Sequence, residues 1–177
     1  MITNPRAYLR ILILALGLGL LLAGCNRPLD DAARQARVLE QYEAAKRTDF
    51  PGIRDLSGRE VLSLLHSRKV VLVDVREPAE RAVSVIPGAI TEQAFLANAT
   101  ALGADTVVAY CTIGYRSGMF AQRMARQNAT VYNLRGGILG WLHAGGNLTD
   151  PGGRPVHKVH VYGSTWDLAP LDYQTVW

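Results

Sequence analysis

The chain has 177 residues, of which 49% are hydrophobic and 19% are charged. These proportions are typical of a globular protein and exclude an intrinsically disordered one, and the length suits one domain with a short appendage. The formal charge is only +4 at pH 7, so the composition does not support a nucleic-acid partner.

The first residues predict an export signal. Arg6 and Arg10 form a positively charged start without acidic residues, and the apolar run ILILALGLGLLLAG follows at residues 11–24. Its 14 residues are too few to span a bilayer comfortably. The run leads into LLAGC, which ends at Cys25 and resembles the lipobox of bacterial lipoproteins. We therefore expect residues 1–24 to be a lipoprotein signal peptide and Cys25 to be lipidated; an ordinary secretory signal and an uncleaved anchor are the alternatives.

A lipidated Cys25 would place the protein in the bacterial cell envelope. Several acyl chains anchor a protein stably, so we expect attachment to the membrane at its periplasmic face. By resemblance to bacterial sorting patterns, Asn26 in place of an aspartate slightly favours the outer membrane. Loss of Arg6 and Arg10 with the signal would lower the formal charge from +4 to +2. Cys111, the other of the chain's two cysteines, would then have no intramolecular disulfide partner.

Residues 25–49 are predicted to comprise the lipidated cysteine, a tether and a short helix. The apolar side chains of this segment fall near one face of the predicted helix: Leu29, Ala32, Ala33, Ala36, Leu39 and Tyr42. We expect this helix to dock on the rest of the protein; a free tether is the alternative. The sequence FPG breaks the helix, and the compact domain is expected at residues 50–150.

Strand and helix patterns alternate within the compact domain. Ser57 and Glu60 have the spacing of a capping box at the start of the helical pattern GREVLSLLHSRK. Buried strands are predicted at Val70–Val75, Asp105–Tyr110 and Ala129–Leu134. Further helices are predicted at residues 117–127 and 136–146, the former with Met119, Phe120, Met124 and Ala125 on its apolar side. This alternation predicts the α/β class, a single domain whose mainly parallel central sheet is flanked by helices on both faces.

Residues 151–177 are too aromatic for a disordered tail, since they contain Trp166 and Trp177, two of the three tryptophans. We expect this C-terminal extension to pack on the domain. His157 and His160 are not expected to bind a metal, because residues i and i+3 of an extended segment point to opposite faces and no cysteine or carboxylate adjoins them. No metal site is predicted.

Cys111 stands where a predicted strand passes through a loop into a helix. In a parallel sheet, functional residues collect at the carboxyl ends of strands. Backbone N–H groups of the loop CTIGYRS, the N-terminus of the next helix and the charge of Arg116 each favour the thiolate over the thiol. Gly114 allows a loop conformation that a β-branched residue resists. The pattern indicates a reactive cysteine; an inert buried cysteine is the alternative.

Four motifs in series resemble a rhodanese-like domain, the thiosulfate sulfurtransferase fold. They are VLVDVREPAE, IPGA, AYCTIGYRSG and NLRGGILGWLHAGG, and the resemblance runs from about Ile53 to Asn147. It implies a parallel sheet flanked by helices, with Cys111 as the nucleophile. Four residues separate Cys111 from Arg116, whereas phosphatases that resemble rhodaneses have a loop one residue longer. The tighter loop therefore favours sulfur transfer over phosphatase chemistry.

The resemblance implies two-step covalent catalysis without a cofactor. The Cys111 thiolate takes the sulfane sulfur of thiosulfate or a persulfide donor, and a thiophilic acceptor, cyanide in an assay or a thiol in the cell, then removes it. The loop expected to bind substrate and persulfide comprises Thr112, Ile113, Gly114, Tyr115, Arg116 and Ser117. Arg116 would attract the oxyanion of the donor, but the rim is otherwise rather apolar. A persulfide or polysulfide donor needs less oxyanion recognition than thiosulfate does.

Asp74, Arg76 and Glu80 match the family's Asp-x-Arg-x-x-x-Glu pattern. The resemblance implies a structural role, in which an ion-pair network at the end of the strand fixes the neighbouring loops. Direct acid–base catalysis by these residues is the alternative.

The sequence supports three hypotheses of function. The first is a lipid-anchored sulfurtransferase that uses Cys111, with a small-molecule sulfur donor and a thiol or cyanide acceptor. The second is a sulfur carrier or partner-binding module that does not turn over, whose aromatic extension contacts an envelope protein. The third is a redox sensor, against which the absence of a resolving cysteine weighs.

Overall fold

A computed structural model describes residues 28–67, 69–98 and 103–177, so the predicted signal peptide and Cys25 lie outside the described residues. The helices are α1 (Asp31–Asp49), α2 (Gly58–Leu65), α3 (Pro78–Val83), α4 (Glu92–Asn98), α5 (Tyr115–Ala125) and α6 (Gly137–His143), with a 3₁₀ turn at Ser164–Trp166. The strands are β1 (Asp55–Leu56), β2 (Val70–Asp74), β3 (Ile90–Thr91), β4 (Thr106–Tyr110), β5 (Tyr132–Leu134), β6 (Leu148–Thr149), β7 (Pro155–Val156), β8 (Lys158–His160) and β9 (Gln174–Val176). No helix within these described ranges has the length and apolar character needed to cross a membrane.

Five strands form one parallel sheet in the order β1-β5-β4-β2-β3. The two central strands, β2 and β4, lie side by side from Val70 opposite Thr106 to Asp74 opposite Tyr110. The carboxyl ends of both strands therefore meet at one edge of the sheet. That edge carries the residues of the candidate site.

Helices cover both faces of the sheet and form two separate cores. On one face, Leu72 and Val108 belong to a core that also contains residues of α2 and α6. On the other face, Val73 and Ala109 pack in a core with Phe120 of α5. Successive side chains of a strand point to opposite faces, so the continuous apolar runs of β2 and β4 fill both cores. The predicted α/β class with a parallel, doubly covered sheet is confirmed.

Two details of the predicted helices are informative. The capping box is present as predicted: the Ser57 hydroxyl accepts from the Glu60 N–H, and the Glu60 carboxylate accepts from the Ser57 N–H at 2.8 Å. The apolar side predicted for the helix after Cys111 is wrong in part, because Met119 is 37% exposed while Ala121 is fully buried. The helix begins at Tyr115, two residues earlier than expected.

The helix α1 docks on the domain through a face that includes the predicted Tyr42 but also Val38, which was not predicted. Val38 and Tyr42 are fully buried, whereas Ala32 and Ala36 are exposed. The Tyr42 hydroxyl donates to an Asp55 carboxylate oxygen at 2.7 Å. Large side chains gain more from burial than alanine methyl groups do, so they set the orientation of the helix.

The C-terminal extension packs against the domain and against α1. Val159 and Val161 are fully buried in the same core as α6, and β8 pairs with β9 in a small parallel sheet. The Arg34 guanidinium of α1 donates to the carbonyl oxygens of Asp167 and Ala169 at 3.0 and 3.3 Å. The two ends of the described chain are thereby tied to each other.

Candidate active site

Cys111 directly follows β4 at the carboxyl edge of the sheet and is 1% exposed. Gly114 has φ +96°, a left-handed conformation that turns the loop back on itself and that glycine adopts without strain. The Gly114 N–H donates a hydrogen bond to Cys111 Sγ at 3.2 Å. α5 begins at the next residue, so the positive end of its dipole also adjoins the loop. Both features stabilise negative charge on the sulfur.

The first turn of α6 is hydrogen-bonded to the backbone of the loop that begins at Cys111. The N–H of Ile138 donates to the carbonyl oxygen of Cys111 at 2.8 Å, and the N–H of Leu139 donates to that of Thr112 at 3.2 Å. Gly137 approaches so closely that an added Cβ would lie 2.4 Å from the Cys111 carbonyl oxygen. The β5–α6 turn therefore sets the position of the loop backbone.

Tyr42 of α1 packs against the same loop at Gly114. A Cβ on Gly114 would lie 2.8 Å from the Tyr42 ring. Asn133 of β5 donates to the Gly114 carbonyl oxygen at 2.9 Å and to the Tyr42 hydroxyl at 3.1 Å. Burial and the adjacent Asp55 carboxylate raise the pKa of Tyr42, so the hydroxyl stays neutral and donates to Asp55.

Arg116 lies beside the cysteine, with its charge paired to Glu80. Its guanidinium donates to both Glu80 carboxylate oxygens at 2.7 Å, and the Thr112 hydroxyl donates to the same carboxylate at 3.1 Å. Burial disfavours the ionised form of Glu80, but these hydrogen bonds outweigh it and lower the pKa of Glu80. Burial likewise disfavours charge on Arg116, but Glu80 and the neighbouring Cys111 side chain raise its pKa. The pair is therefore ionised at neutral pH.

Asp74 and Arg76 form a second ion pair, separate from the first. The Arg76 side chain is buried and donates to Asp74 at 2.7 and 3.0 Å and to the Ser84 carbonyl oxygen at 2.7 Å. The Tyr110 hydroxyl also donates to Asp74 at 2.7 Å. The three residues of the Asp-x-Arg-x-x-x-Glu pattern thus divide between two pairs, and Glu80 is paired with the loop instead of Arg76.

A cavity of about 370 Å³ lies over the sulfur. The predicted residues that line it are Cys111, Thr112, Ile113, Tyr115 and Arg116. Ser117 is fully buried in α5, and neither it nor Gly114 lines the cavity. Four further lining residues come from outside the predicted loop: Gln41 and Ala45 of α1, and Tyr162 and Trp166 of the C-terminal extension.

These four residues were not predicted as part of the site. The aromatic content of the extension predicted packing, but nothing in its sequence placed Tyr162 next to Arg116. In the structure the Arg116 guanidinium lies 5.2 Å from the centre of the Tyr162 ring, within range of a cation–π contact. Tyr162 is 64% exposed and has φ +70°, an uncommon conformation for a tyrosine.

Within residues 28–67, 69–98 and 103–177, no group of three or more His, Cys, Asp or Glu side chains is arranged to hold a metal ion. His157 lies against Asp172 and stacks on Tyr173, away from the cavity.

Comparisons with known proteins decide the family. The profile described as "Rhodanese-like domain" matches residues 57–144. A curated protein of Allochromatium vinosum, described as a sulfurtransferase, is 36% identical over 94 residues, which cover 51% of this chain and 88% of that protein. The chain belongs to the rhodanese-like domain family. Its similarity to a protein with that description supports sulfur transfer as the general chemistry.

Solved structures similar to this rhodanese-like domain include two transferases. Thiosulfate sulfurtransferase from Pseudomonas aeruginosa is 24% identical with a TM-score of 0.49, and the match covers 68% of this chain and 24% of that one. The polysulfide-sulfur transferase homodimer from Wolinella succinogenes is 25% identical with a TM-score of 0.46, and the match covers 65% of this chain and 88% of that one.

Proposed function

We propose that the protein is a sulfurtransferase that carries sulfane sulfur as a persulfide on Cys111. The observation that carries this proposal is the position of the sulfur, which lies at the base of a cavity, accepts a hydrogen bond from the Gly114 N–H and lies beside Arg116. A thiolate in such a setting is a nucleophile that needs no separate general base.

The reaction proceeds in two displacement steps. The Cys111 thiolate attacks the sulfane sulfur of the donor and forms a new S–S bond. The donor's bond to that sulfur breaks, and its electron pair leaves with the donor remnant, which is sulfite for thiosulfate or a thiolate for a persulfide. A thiophilic acceptor then attacks the outer sulfur, and the electron pair of the broken bond returns to Cys111. No external oxidant or reductant is consumed.

The loop residues have different roles in this mechanism. The Gly114 N–H, which donates to Cys111 Sγ in the structure, would hold the persulfide together with the helix dipole of α5. Glu80 and Thr112 act as positioning residues, because they hold Arg116 through hydrogen bonds of 2.7 to 3.2 Å. Tyr115 and Ile113 line the cavity where the donor enters.

The intact mass of the full chain, purified in detergent, tests the proposal. Brief exposure to thiosulfate or a persulfide donor is expected to add one sulfur, and cyanide is expected to remove it. Cys111→Ser, which replaces sulfur by oxygen in a similar volume, is the matched control and should stay unchanged. If no donor adds sulfur to the protein, catalysis by sulfur transfer is wrong. Sulfur that loads on Cys111 but passes to no small-molecule acceptor would indicate the alternative, a carrier that serves a protein partner.

We further propose that the protein is held in the bacterial envelope by lipidation of Cys25, with the domain at the periplasmic face of the membrane. This proposal is supported by Arg6 and Arg10, the apolar run at residues 11–24 and the lipobox-like LLAGC sequence.

A further inference from the structure

The cavity over Cys111 is larger and more apolar than a thiosulfate ion requires. Its volume of about 370 Å³ lies within the range of about 300–1,000 Å³ found for small-molecule sites. Its walls include the side chains of Ala45, Ile113, Tyr115, Tyr162 and Trp166. Contact with such side chains stabilises an apolar group, because the group leaves water on binding.

The charge in the cavity does not favour a dianion. Among the residues that line the cavity, Arg116 is the one with a permanent positive charge. Its guanidinium is held by both carboxylate oxygens of Glu80 at 2.7 Å. A paired cation compensates poorly for the cost of bringing an oxyanion out of water and up to a thiolate. A persulfide whose carbon group is apolar carries no oxyanion.

Contacts within the protein hold the apolar wall of the cavity in place. Tyr162 and Trp166 belong to the C-terminal extension, which Arg34 of α1 fastens through the carbonyl oxygens of Asp167 and Ala169. Tyr162 lies over Arg116 with 5.2 Å between the guanidinium carbon and the ring centre. It covers the charged side of the cavity with an aromatic face.

We infer that the cavity selects an organic persulfide with an apolar carbon group as its sulfur donor, and that Tyr162 is a specificity-determining residue. This inference rests on the proposed function and adds the class of donor. The Cys111 thiolate attacks the outer sulfur of the persulfide R–S–SH and forms a new S–S bond with it, the S–S bond of the persulfide breaks, and R–S⁻ leaves with the electron pair. The group R lies against Tyr162 and Trp166 during this step.

Tyr162→Gly tests the role of the ring with little risk of unfolding. Glycine adopts the observed φ of +70° without strain, and a side chain that is 64% exposed contributes little to the core. The donors are benzyl persulfide, cysteine persulfide and thiosulfate, used with the full chain in detergent. We expect kcat/KM for benzyl persulfide to fall about tenfold, mainly through KM, and the values for the other two donors to change less than about twofold. Tyr162→Phe keeps the ring and should keep the preference.

Asn128→Gly is the matched control for the backbone. Asn128 also has a left-handed φ of +59°, is exposed and lies in the turn after α5, outside the cavity lining. Asn128→Gly should leave the ratio of kcat/KM for benzyl persulfide to kcat/KM for cysteine persulfide unchanged.

Ala45→Trp tests the opposite wall by filling the cavity from α1. We expect kcat/KM for benzyl persulfide to fall at least tenfold in this variant, while the smaller thiosulfate still reaches Cys111. Ala44→Trp places the same side chain on the exposed side of α1 and should leave the preference unchanged.

The outcomes separate the inference from the proposed function. A wild-type protein that prefers benzyl persulfide, and loses that preference in Tyr162→Gly and Ala45→Trp, supports both. Sulfur loading on Cys111 with no preference for benzyl persulfide, or with a preference that Tyr162→Gly leaves unchanged, overturns the inference and leaves the proposed function standing. Failure of every donor to load Cys111 overturns both.

Discussion

At the scale of single residues, the buried charged side chains at the site are each paired with a side chain of opposite charge. Glu80 is 1% exposed and is neutralised by Arg116, while Asp74 is neutralised by Arg76 in the core. Removal of one partner from a buried pair is destabilising, because the other charge is left without compensation. The Glu80–Arg116 pair therefore holds the loop as well as setting the electrostatics around Cys111.

Glu80→Gln is expected to lower the free energy of unfolding at pH 7 by about 2–3 kcal/mol, since Arg116 keeps its charge but loses the carboxylate that compensates it. The pKa of Glu80 is lowered in the folded protein. Its contribution is thus fully present above the ordinary value of 4.5 and is lost as the pH falls through the lower, folded-state value.

Urea unfolding at pH 7, 5 and 3.5 measures this effect. The wild type should lose part of its stability on acidification below pH 4.5, and Glu80→Gln should show a shallower loss. Glu40→Gln on the exposed face of α1 is the control and should behave as the wild type does. An equally steep loss in Glu80→Gln and the wild type would contradict the assignment of this pH dependence to Glu80.

At the scale of secondary-structure elements, the first turn of α6 positions the loop that begins at Cys111. Two N–H groups of this turn hold the carbonyl oxygens of Cys111 and Thr112. Gly137 has φ +59° and leaves no room for a side chain, because a Cβ would meet backbone atoms at 2.4 to 2.7 Å. The loop cannot move away from Gly137 without losing these hydrogen bonds. A side chain at position 137 is therefore disfavoured by steric overlap with the loop as well as by the left-handed backbone conformation.

Gly137→Ala is expected to cost about 2–4 kcal/mol, as the sum of left-handed strain and overpacking, and to reduce persulfide formation on Cys111. Gly145→Ala is the matched control: its φ is +88°, and a Cβ there meets nothing within 4 Å. It should cost about 1 kcal/mol and leave persulfide formation intact. Chemical denaturation and intact mass report the two quantities. Equal costs for the two variants would show that the close contact at Gly137 has no energetic effect.

At the scale of the whole molecule, two segments outside the family match complete the cavity. The match covers residues 57–144, whereas Gln41 and Ala45 precede it and Tyr162 and Trp166 follow it. Arg34 joins the two segments through backbone carbonyls of the extension, and the Leu171 N–H donates to Asp31 at 2.8 Å. The common core thus supplies Cys111, and the added segments shape its surroundings.

The proposed anchor is also a property of the whole molecule. In a bacterial host, the full chain is expected to lose residues 1–24, gain acyl mass on Cys25 and sediment with membranes. Cys25→Ser should lose the acyl mass and the membrane association. Cys111→Ser, the same substitution at the other cysteine, should retain both. Membrane association of Cys25→Ser equal to that of the wild type would contradict the lipid anchor.

Predictions from local patterns agree with the structure in most elements. The capping box of Ser57 and Glu60, the strands β2 and β4 and the position of Cys111 at a strand end are each set by neighbouring residues. The predicted face of α1 is wrong in part, because alanines at helical spacing do not show which side faces a core: Tyr42 is buried as predicted, but Ala32 and Ala36 are exposed. The pairing of Arg116 with Glu80 was also missed, since the sequence pattern grouped Glu80 with Asp74 and Arg76.

The sequence by itself determined the α/β class, the position of Cys111 at the end of a strand and the tight loop after it, because short-range periodicity, capping and glycine placement are local properties. Only the tertiary structure decided what surrounds the sulfur. Ala45, Cys111 and Tyr162 lie far apart along the chain yet line one cavity. Their meeting depends on the packing of α1 and the extension against the sheet and against each other, and no local pattern of residues encodes such long-range contacts.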